Sequence, residues 1–250
     1  MTSKMDNFYD KCLDIMQTTL SLLEKLVPEP VRVPYKDSFV FRYIEKSLEQ
    51  ALVQKIARLT SGLHAARLLM EHGFVQEQAS IQRILDELQE DITFLSLSVI
   101  YNNKTSLHQD YLTEFYKDEF ESTNINLTSL KRGMVPRKKI RAYIARTGQG
   151  FLNMNNTLDS LHAVGDTYSG FIHAFSPHIM DMYFGEPAKF YVQGMLGTDR
   201  HNEHRKDLWS YFYRGICALS FTAKAFKNDE LFDDLHKFIV KVESAPRTYR

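Results

Sequence analysis

A stripe of apolar side chains dominates the early part of the sequence and repeats with the spacing of an α-helix. Its members are three or four residues apart: Leu52, Ile56, Leu59, Leu63, Ala66 and Met70. This spacing aligns them on one helical face and predicts a long helix from about residue 37 or 38 to His72. Gly73 then marks its C-terminal end, because glycine readily adopts the backbone conformation that stops a helix.

A second long helix is predicted over about residues 75–101. Only a few residues separate it from the first, so the two are expected to pack as an antiparallel hairpin. It is amphipathic up to Ile92 and becomes apolar on nearly every side after Phe94, which predicts a central position for its second half. Apolar side chains on several faces near Phe94 also predict a homodimer, in which a second copy covers part of this surface.

Few residues in this chain favour turns. Eleven glycines and seven prolines in 250 residues are fewer than the averages of about 7% and about 5% would supply. No segment shows the sustained alternation of a strand, whereas helical periodicity and end signals recur. They predict further helices over residues 4–27, 108–121, 136–146, 155–174, 199–227 and 229–242.

We therefore predict an all-α fold, a helical bundle of about seven to nine helices built on the long antiparallel hairpin. Residues 1–250 form one domain, to which residues 1–35 could contribute an N-terminal helical extension.

The charges and cysteines of the sequence indicate which partners and which cellular compartment fit this protein. Lysine plus arginine equals aspartate plus glutamate, at 31 each, so a nucleic acid would have to bind a local basic patch rather than be attracted by net charge. Cys12 and Cys217 are far apart, which is typical of a reducing compartment. No apolar run is long enough for a signal peptide or a bilayer span. These features predict a cytoplasmic protein without a membrane partner.

The predicted helix 155–174 carries the first group of candidate functional residues. Asp159, His162, Asp166, Ser169 and His173 fall on one stripe, which is either a solvated helix face or a row able to bind a metal or pass protons. Glycines within this helix, at 165 and 170, allow close packing or ligand approach. We select His173 as a candidate acid–base residue, with binding candidates at Tyr168, Ser169 and His178.

Two other charged groups are candidates. Arg83 and Glu87 are four residues apart on the second long helix, so they form either an exposed ion pair or a polar contact to a neighbouring helix. Arg200, His201 and His204 open a later helix, either as an ordinary polar first turn or as a site for an anion or a shared metal. The paired Glu-x-x-His motifs of di-metal bundles are absent from the sequence. We predict no metal and no cofactor.

Three stretches resemble a known group of proteins. Residues 63–73 (LHAARLLMEHG) and 81–87 (IQRILDE), followed later by residues 168–173 (YSGFIH), resemble elements of a bacterial family of uncharacterised all-helical proteins, itself distantly similar to the HEPN superfamily. The resemblance implies a helical fold and a bacterial origin. HEPN ribonucleases typically place an arginine four to six residues before a histidine, a spacing that Arg58 and His64 reproduce here, within the first long helix.

Two functional hypotheses follow. In the first, the protein is a non-catalytic helical module that binds a ligand or a protein partner. In the second, it is an HEPN-type metal-independent ribonuclease or nucleotide-binding protein of stress or phage defence. His173 would then be the acid–base residue, and Arg83 or Arg200 would hold phosphate. A metal-dependent enzyme is a third alternative. For His173 to be functional, we expect it to lie within reach of Arg83 or Glu87, which would orient its ring.

Overall fold

The computed structural model describes residues 4–117, 133–148 and 168–244. Helices dominate these ranges, which confirms the predicted all-α class. In chain order the helices are α1 (Lys4–Leu23), α2 (Leu48–Glu71), α3 (Val75–Ile100), α4 (Ser106–Phe115), α5 (Arg137–Thr147), α6 (168–172), α7 (Ser176–Met180), α8 (Asp199–Ala225) and α9 (Asp229–Glu243). A 3₁₀ turn (Glu24–Leu26) follows α1, and two short hairpins pair β1 (Val31–Tyr35) with β2 (Ser38–Arg42) and β3 (Tyr183–Phe184) with β4 (Lys189–Phe190).

Three long helices, α2, α3 and α8, form the centre of the bundle. The first two are the predicted antiparallel hairpin, since Lys55 lies beside Asp91 and Gly62 packs against Leu85. α8 packs on both of them, while α1 lies against α2 and α8, α5 against α3, and α9 against α8. Phe94 is fully buried and its ring stacks on that of His108, so the second half of α3 is central, as predicted.

The segment before α2 differs from the prediction. Residues 31–42 form an antiparallel hairpin in which Val33 pairs with Val40 and Tyr35 with Ser38. Its strands are rich in valine and phenylalanine, which favour the pleated conformation. α2 begins only at Leu48, where Ser47 and Gln50 cap each other's backbone N–H. The predicted helix start at residue 37 or 38 is therefore wrong.

The turn between α2 and α3 anchors a distant part of the chain. Gly73 ends α2 with φ +75°, and its carbonyl accepts a 2.8 Å hydrogen bond from the Met195 backbone N–H. The contact holds the segment that precedes α8, whose first turn is capped by the Thr198 side chain. The predicted stop at Gly73 is confirmed, and α8 begins at Asp199, where the sequence predicted a helix to start.

The remaining helix predictions divide between described and undescribed residues. α1, α3, α8 and α9 match their predicted ranges within a few residues. Of the predicted helix 155–174, only residues 168–172 are described as helical, and Asp159, His162, Gly165 and Asp166 lie outside the described residues. The irregular piece predicted up to Gly197 contains α7 and the β3–β4 hairpin.

Candidate functional site

The predicted acid–base residue His173 follows the last turn of α6 and has an exposed side chain. Its ring stacks on that of Phe175 with the centroids 5.6 Å apart. Among the described residues, no hydrogen bond or ion pair joins this ring to Arg83 or Glu87. The structure therefore does not join His173 to Arg83 and Glu87, the two residues predicted to form a catalytic group with it.

Arg83 and Glu87 form the ion pair that their spacing predicted. Arg83 Nη2 lies 2.8 Å from Glu87 Oε1, and the two side chains are 17% and 35% exposed. The other terminal nitrogen of Arg83 is buried and has no hydrogen-bond partner among the described residues. Such a partly exposed pair contributes little to stability by itself, but it places Glu87 at the edge of a cavity described below.

The residues around α6 and α7 pack tightly. A Cβ added to Gly170 would lie 2.0 Å from His178 Cε1, so the predicted role of this glycine in close packing is confirmed. The His178 ring also lies edge-on to Phe171, and its backbone carbonyl accepts a 2.7 Å hydrogen bond from the side-chain amide of Gln76. Ser169 is half-buried. His178 thus connects α7 to the start of α3.

Tyr168 belongs to a buried polar network between α3 and α8. Its hydroxyl donates to Asp207 Oδ2 at 3.0 Å, and its ring lies edge-on to that of Tyr211. The Tyr211 hydroxyl donates to Asp86, which also accepts from Arg214 at 2.7 Å. Burial raises the pKa of Asp86 although Arg214 opposes the change. The network links α3, α6 and α8, and Asp86 forms an ion pair with Arg214 within it.

The basic residues in the first turn of α8 make different contacts. Arg200 pairs with Asp181 at 2.8 Å and Glu203 at 3.0 Å on the surface. His201 Nε2 lies 2.9 Å from the Met70 carbonyl, and its Nδ1 accepts from the Gly197 N–H at 3.4 Å. This pattern assigns the proton to Nε2 and leaves neither ring nitrogen for a metal. His201 therefore fastens α8 to the end of α2.

His204 is buried against the rings of Tyr168 and Phe171. Burial lowers its pKa, with Asp207 opposing, so the neutral imidazole is favoured at neutral pH. Its Nδ1 has no hydrogen-bond partner among the described residues. Within the same residues, no group of three or more histidine, cysteine, aspartate or glutamate side chains is arranged to hold a metal ion.

A different set of buried charges lies where α2, α3 and α5 meet. Lys55 Nζ lies 2.8 Å from Asp91 Oδ2, and the two side chains are only 10% and 6% exposed. Arg137 Nη2 approaches the other Asp91 oxygen at 2.6 Å. On the adjacent residue of α3, Glu90 accepts a 2.8 Å hydrogen bond from Arg141 Nε. Two cations from separate helices thus converge on the single carboxylate of Asp91.

Three of these charged residues, Lys55, Asp91 and Arg137, line the floor of a cavity of about 290 Å³. We call it the Lys55 cleft; its lining residues are Lys55, Ile84, Glu87, Leu88, Asp91, Tyr111, Glu114, Phe115, Gly133, Met134, Val135 and Arg137. Aromatic rings cover the ammonium group, since Lys55 Nζ lies 4.8 Å from the centroid of Phe115 and 5.3 Å from that of Tyr111. Mostly apolar walls around a few converging polar groups are typical of a small-molecule site.

Burial and charge together determine the protonation of this cleft. Burial raises the pKa of the Tyr111 phenol, and the nearby Asp91 carboxylate raises it further, so Tyr111 remains a neutral hydroxyl. Burial lowers the pKa of Arg137, but Asp91 outweighs this and raises it overall. The cleft therefore combines the cations Lys55 and Arg137 with neutral aromatic rings, and its lining also carries the carboxylates of Glu87, Asp91 and Glu114.

Sequence reasoning found one residue of this cleft, Glu87, and missed its charged floor. A signal was present, because Lys55 is three residues after Leu52 and four before Leu59, within the buried stripe of α2. Asp91 likewise lies between Leu88 and Leu95 on α3. A charge on a buried helical face needs a partner, so both positions could have been marked as half of an ion pair.

Comparisons with protein-family models, curated proteins and solved structures found no match to this chain. In the described part of the chain, no helix has the length and apolar composition needed to cross a bilayer. The resemblance to a bacterial HEPN-like family stays a prediction.

Proposed function

We propose that this protein is a non-catalytic binding protein whose Lys55 cleft holds a small molecule with an apolar body and an anionic end, such as a carboxylate. The observation that carries the proposal is the convergence of two cations, the buried Lys55 and the half-buried Arg137, on one carboxylate at a cavity with apolar walls. The cavity is at the small end of the range for ligand sites, which favours a molecule smaller than a typical drug.

The balance of donors and acceptors supports an anionic end. Lys55 has three N–H donors, of which one is directed to Asp91 and the ammonium otherwise faces the rings of Tyr111 and Phe115. Arg137 Nε is buried and has no hydrogen-bond partner among the described residues. Buried donors without acceptors are costly, so a ligand that supplies acceptor oxygens gains affinity here.

The choice of binding over catalysis rests on the side chains that line the cleft. The described lining residues include no histidine, cysteine, serine or threonine, so the cleft lacks the most common nucleophiles and a histidine base, although the carboxylates of Glu87, Asp91 and Glu114 line it. Asp91 is already engaged by two cations, Lys55 at 2.8 Å and Arg137 at 2.6 Å. The cleft therefore favours recognition of a charged ligand.

Calorimetric titration with three matched probes tests this proposal: hexanoate, hexanol and hexylamine share one body and differ in the charge of the head. We expect hexanoate to bind most tightly and hexylamine least. Lys55→Met should weaken hexanoate binding at least about tenfold, which is about 1.4 kcal/mol. The control is Lys237→Met, whose side chain is 75% exposed on α9 and whose loss should change nothing. Failure of all three probes to bind, or unchanged hexanoate affinity in Lys55→Met, contradicts the proposal.

The alternative function, an HEPN-type ribonuclease or nucleotide-binding protein, stays a prediction and is tested in parallel. Wild-type protein and His173→Ala are incubated with a fluorescent single-stranded RNA, and cleavage is followed on a gel. Cleavage by wild type that is lost in His173→Ala, with unchanged thermal stability, would favour the ribonuclease. The predicted cytoplasmic location and homodimer likewise remain predictions.

A further inference from the structure

The β1–β2 hairpin has one face turned toward the protein and one turned to solvent. Val33, Tyr35 and Val40 are half-buried. The alternating positions Arg32, Pro34, Phe39 and Phe41 are all exposed, and the register pairs Arg32 with Phe41 and Pro34 with Phe39. Because side chains alternate across a strand, these four residues share one surface. We call it the Phe39–Phe41 face.

Two aromatic rings on this face are unusually open to solvent. Phe39 is 44% exposed and Phe41 is 54% exposed. The Arg32 guanidinium lies 4.6 Å from the centroid of the Phe39 ring and 5.9 Å from that of Phe41. An isolated two-stranded hairpin is marginally stable in water, so leaving both of its phenylalanines side by side outside the core needs a reason beyond folding.

The hairpin is also locally basic. Between residues 31 and 42, the three cationic residues Arg32, Lys36 and Arg42 accompany one anionic residue, Asp37, in a chain whose cationic and acidic residues are equal in number. Lys36 is at the turn, and its side chain is exposed. This local excess of positive charge therefore favours a polyanion, rather than a neutral protein surface, as the partner of the hairpin.

We propose that the Phe39–Phe41 face binds single-stranded nucleic acid, with bases stacked on the two phenylalanines and phosphates contacted by Arg32 and Lys36. The Phe39 and Phe41 rings lie 5.5 Å apart at 87° to each other, so each can contact a different unpaired base, whereas the bases of a duplex already stack on one another. The guanidinium of Arg32 can stack and pair with phosphate at the same time. The hairpin contributes no residue to the Lys55 cleft, so this inference is independent of the function proposed above.

The test measures fluorescence anisotropy of labelled oligo(U) and of a labelled RNA duplex of equal length with the full chain. We expect oligo(U) to bind more tightly than the duplex. Phe39→Leu combined with Phe41→Leu keeps the face apolar and removes the rings, and should weaken oligo(U) binding about tenfold or more. Arg32→Gln combined with Lys36→Gln should weaken binding and reduce its dependence on salt. The matched control is Phe190→Leu, an exposed phenylalanine of the other hairpin, with no expected effect.

Circular dichroism and thermal unfolding of each variant confirm that it is folded before its binding is compared. Absence of oligo(U) binding by wild type, or equal binding by wild type and the double leucine variant, overturns the proposal. Sedimentation velocity tests whether a second copy of the chain, rather than nucleic acid, binds to this face. A wild-type dimer that the double leucine variant dissociates, without oligo(U) binding, would assign this face to a second copy of the chain instead.

Discussion

Replacing Asp91 with asparagine removes the one carboxylate shared by Lys55 and Arg137 without changing the size of the side chain. Lys55 is then left 10% exposed with no anionic partner, while Arg137 keeps only the more distant Glu90, 3.5 Å away. Breaking a buried pair in this way typically costs about 3–5 kcal/mol. A domain has about 5–15 kcal/mol in total, so we expect Asp91→Asn to lose a large fraction of the free energy of unfolding.

The reciprocal change should be far milder. In Lys55→Met the Asp91 carboxylate keeps Arg137 at 2.6 Å, and the methionine fills the space beneath Tyr111 and Phe115. We expect a loss of about 1 kcal/mol or less, because a satisfied pair replaced on one side by an apolar group leaves no lone buried charge. This asymmetry is what distinguishes two cations sharing one anion from a simple pair.

Urea unfolding followed by far-UV circular dichroism measures both variants on one scale. Asp234→Asn serves as the control, since this α9 side chain is 68% exposed and its loss should change stability by about 0.5 kcal/mol or less. The reasoning is refuted by an Asp91→Asn variant within about 1 kcal/mol of wild type, or by a Lys55→Met variant that is equally damaged.

Two further predictions concern pH and backbone geometry. Burial lowers the pKa of His108 from 6.5 to about 4, so the unfolded chain binds a proton that the folded chain excludes, and stability falls as the pH is lowered from 6.5 to 4 by about 3 kcal/mol. Urea unfolding at a series of pH values gives the slope of the unfolding free energy against pH, and His108→Gln should remove the part of this slope that His108 contributes. Burial also lowers the pKa of His204, but His204 titrates in both proteins and cancels in the comparison. An unchanged slope in His108→Gln contradicts the prediction. A Cβ on Gly73 would lie 2.6 Å from the Leu196 backbone nitrogen, whereas Gly197, also at positive φ, has open space around it. Gly73→Ala should therefore cost at least about 2 kcal/mol and Gly197→Ala only about 1 kcal/mol, and equal thermal shifts for the two would show that the close contact is unimportant.

Local signals were sufficient for the long helices. The apolar stripe of α2, the stop at Gly73 and the cap at Thr198 each depend on residues within one or two turns of each other. Helix formation is itself a local process with hydrogen bonds four residues apart, so these features could be predicted from the sequence. The central position of Phe94 followed in the same way from the apolar surroundings on its own helix.

The hairpin over residues 31–42 could not be predicted with the same rules. The run Phe39, Val40, Phe41 is apolar at consecutive positions, which fits a buried helix as well as a strand. What decides between them is pairing across the turn with Val31 to Tyr35. A strand has no internal backbone hydrogen bonds, so its partner must be known before it can be recognised.

The candidate site depended on tertiary structure even more strongly. Sequence alone placed Arg83 beside Glu87, because they share one helix, but it linked them to His173, which lies exposed beside Phe175. The Lys55 cleft joins residues from α2, α3, α4 and α5. A charge on a helix indicates that a partner is needed, but only the packing of helices determines which distant charge comes within 3 Å and which is left in water.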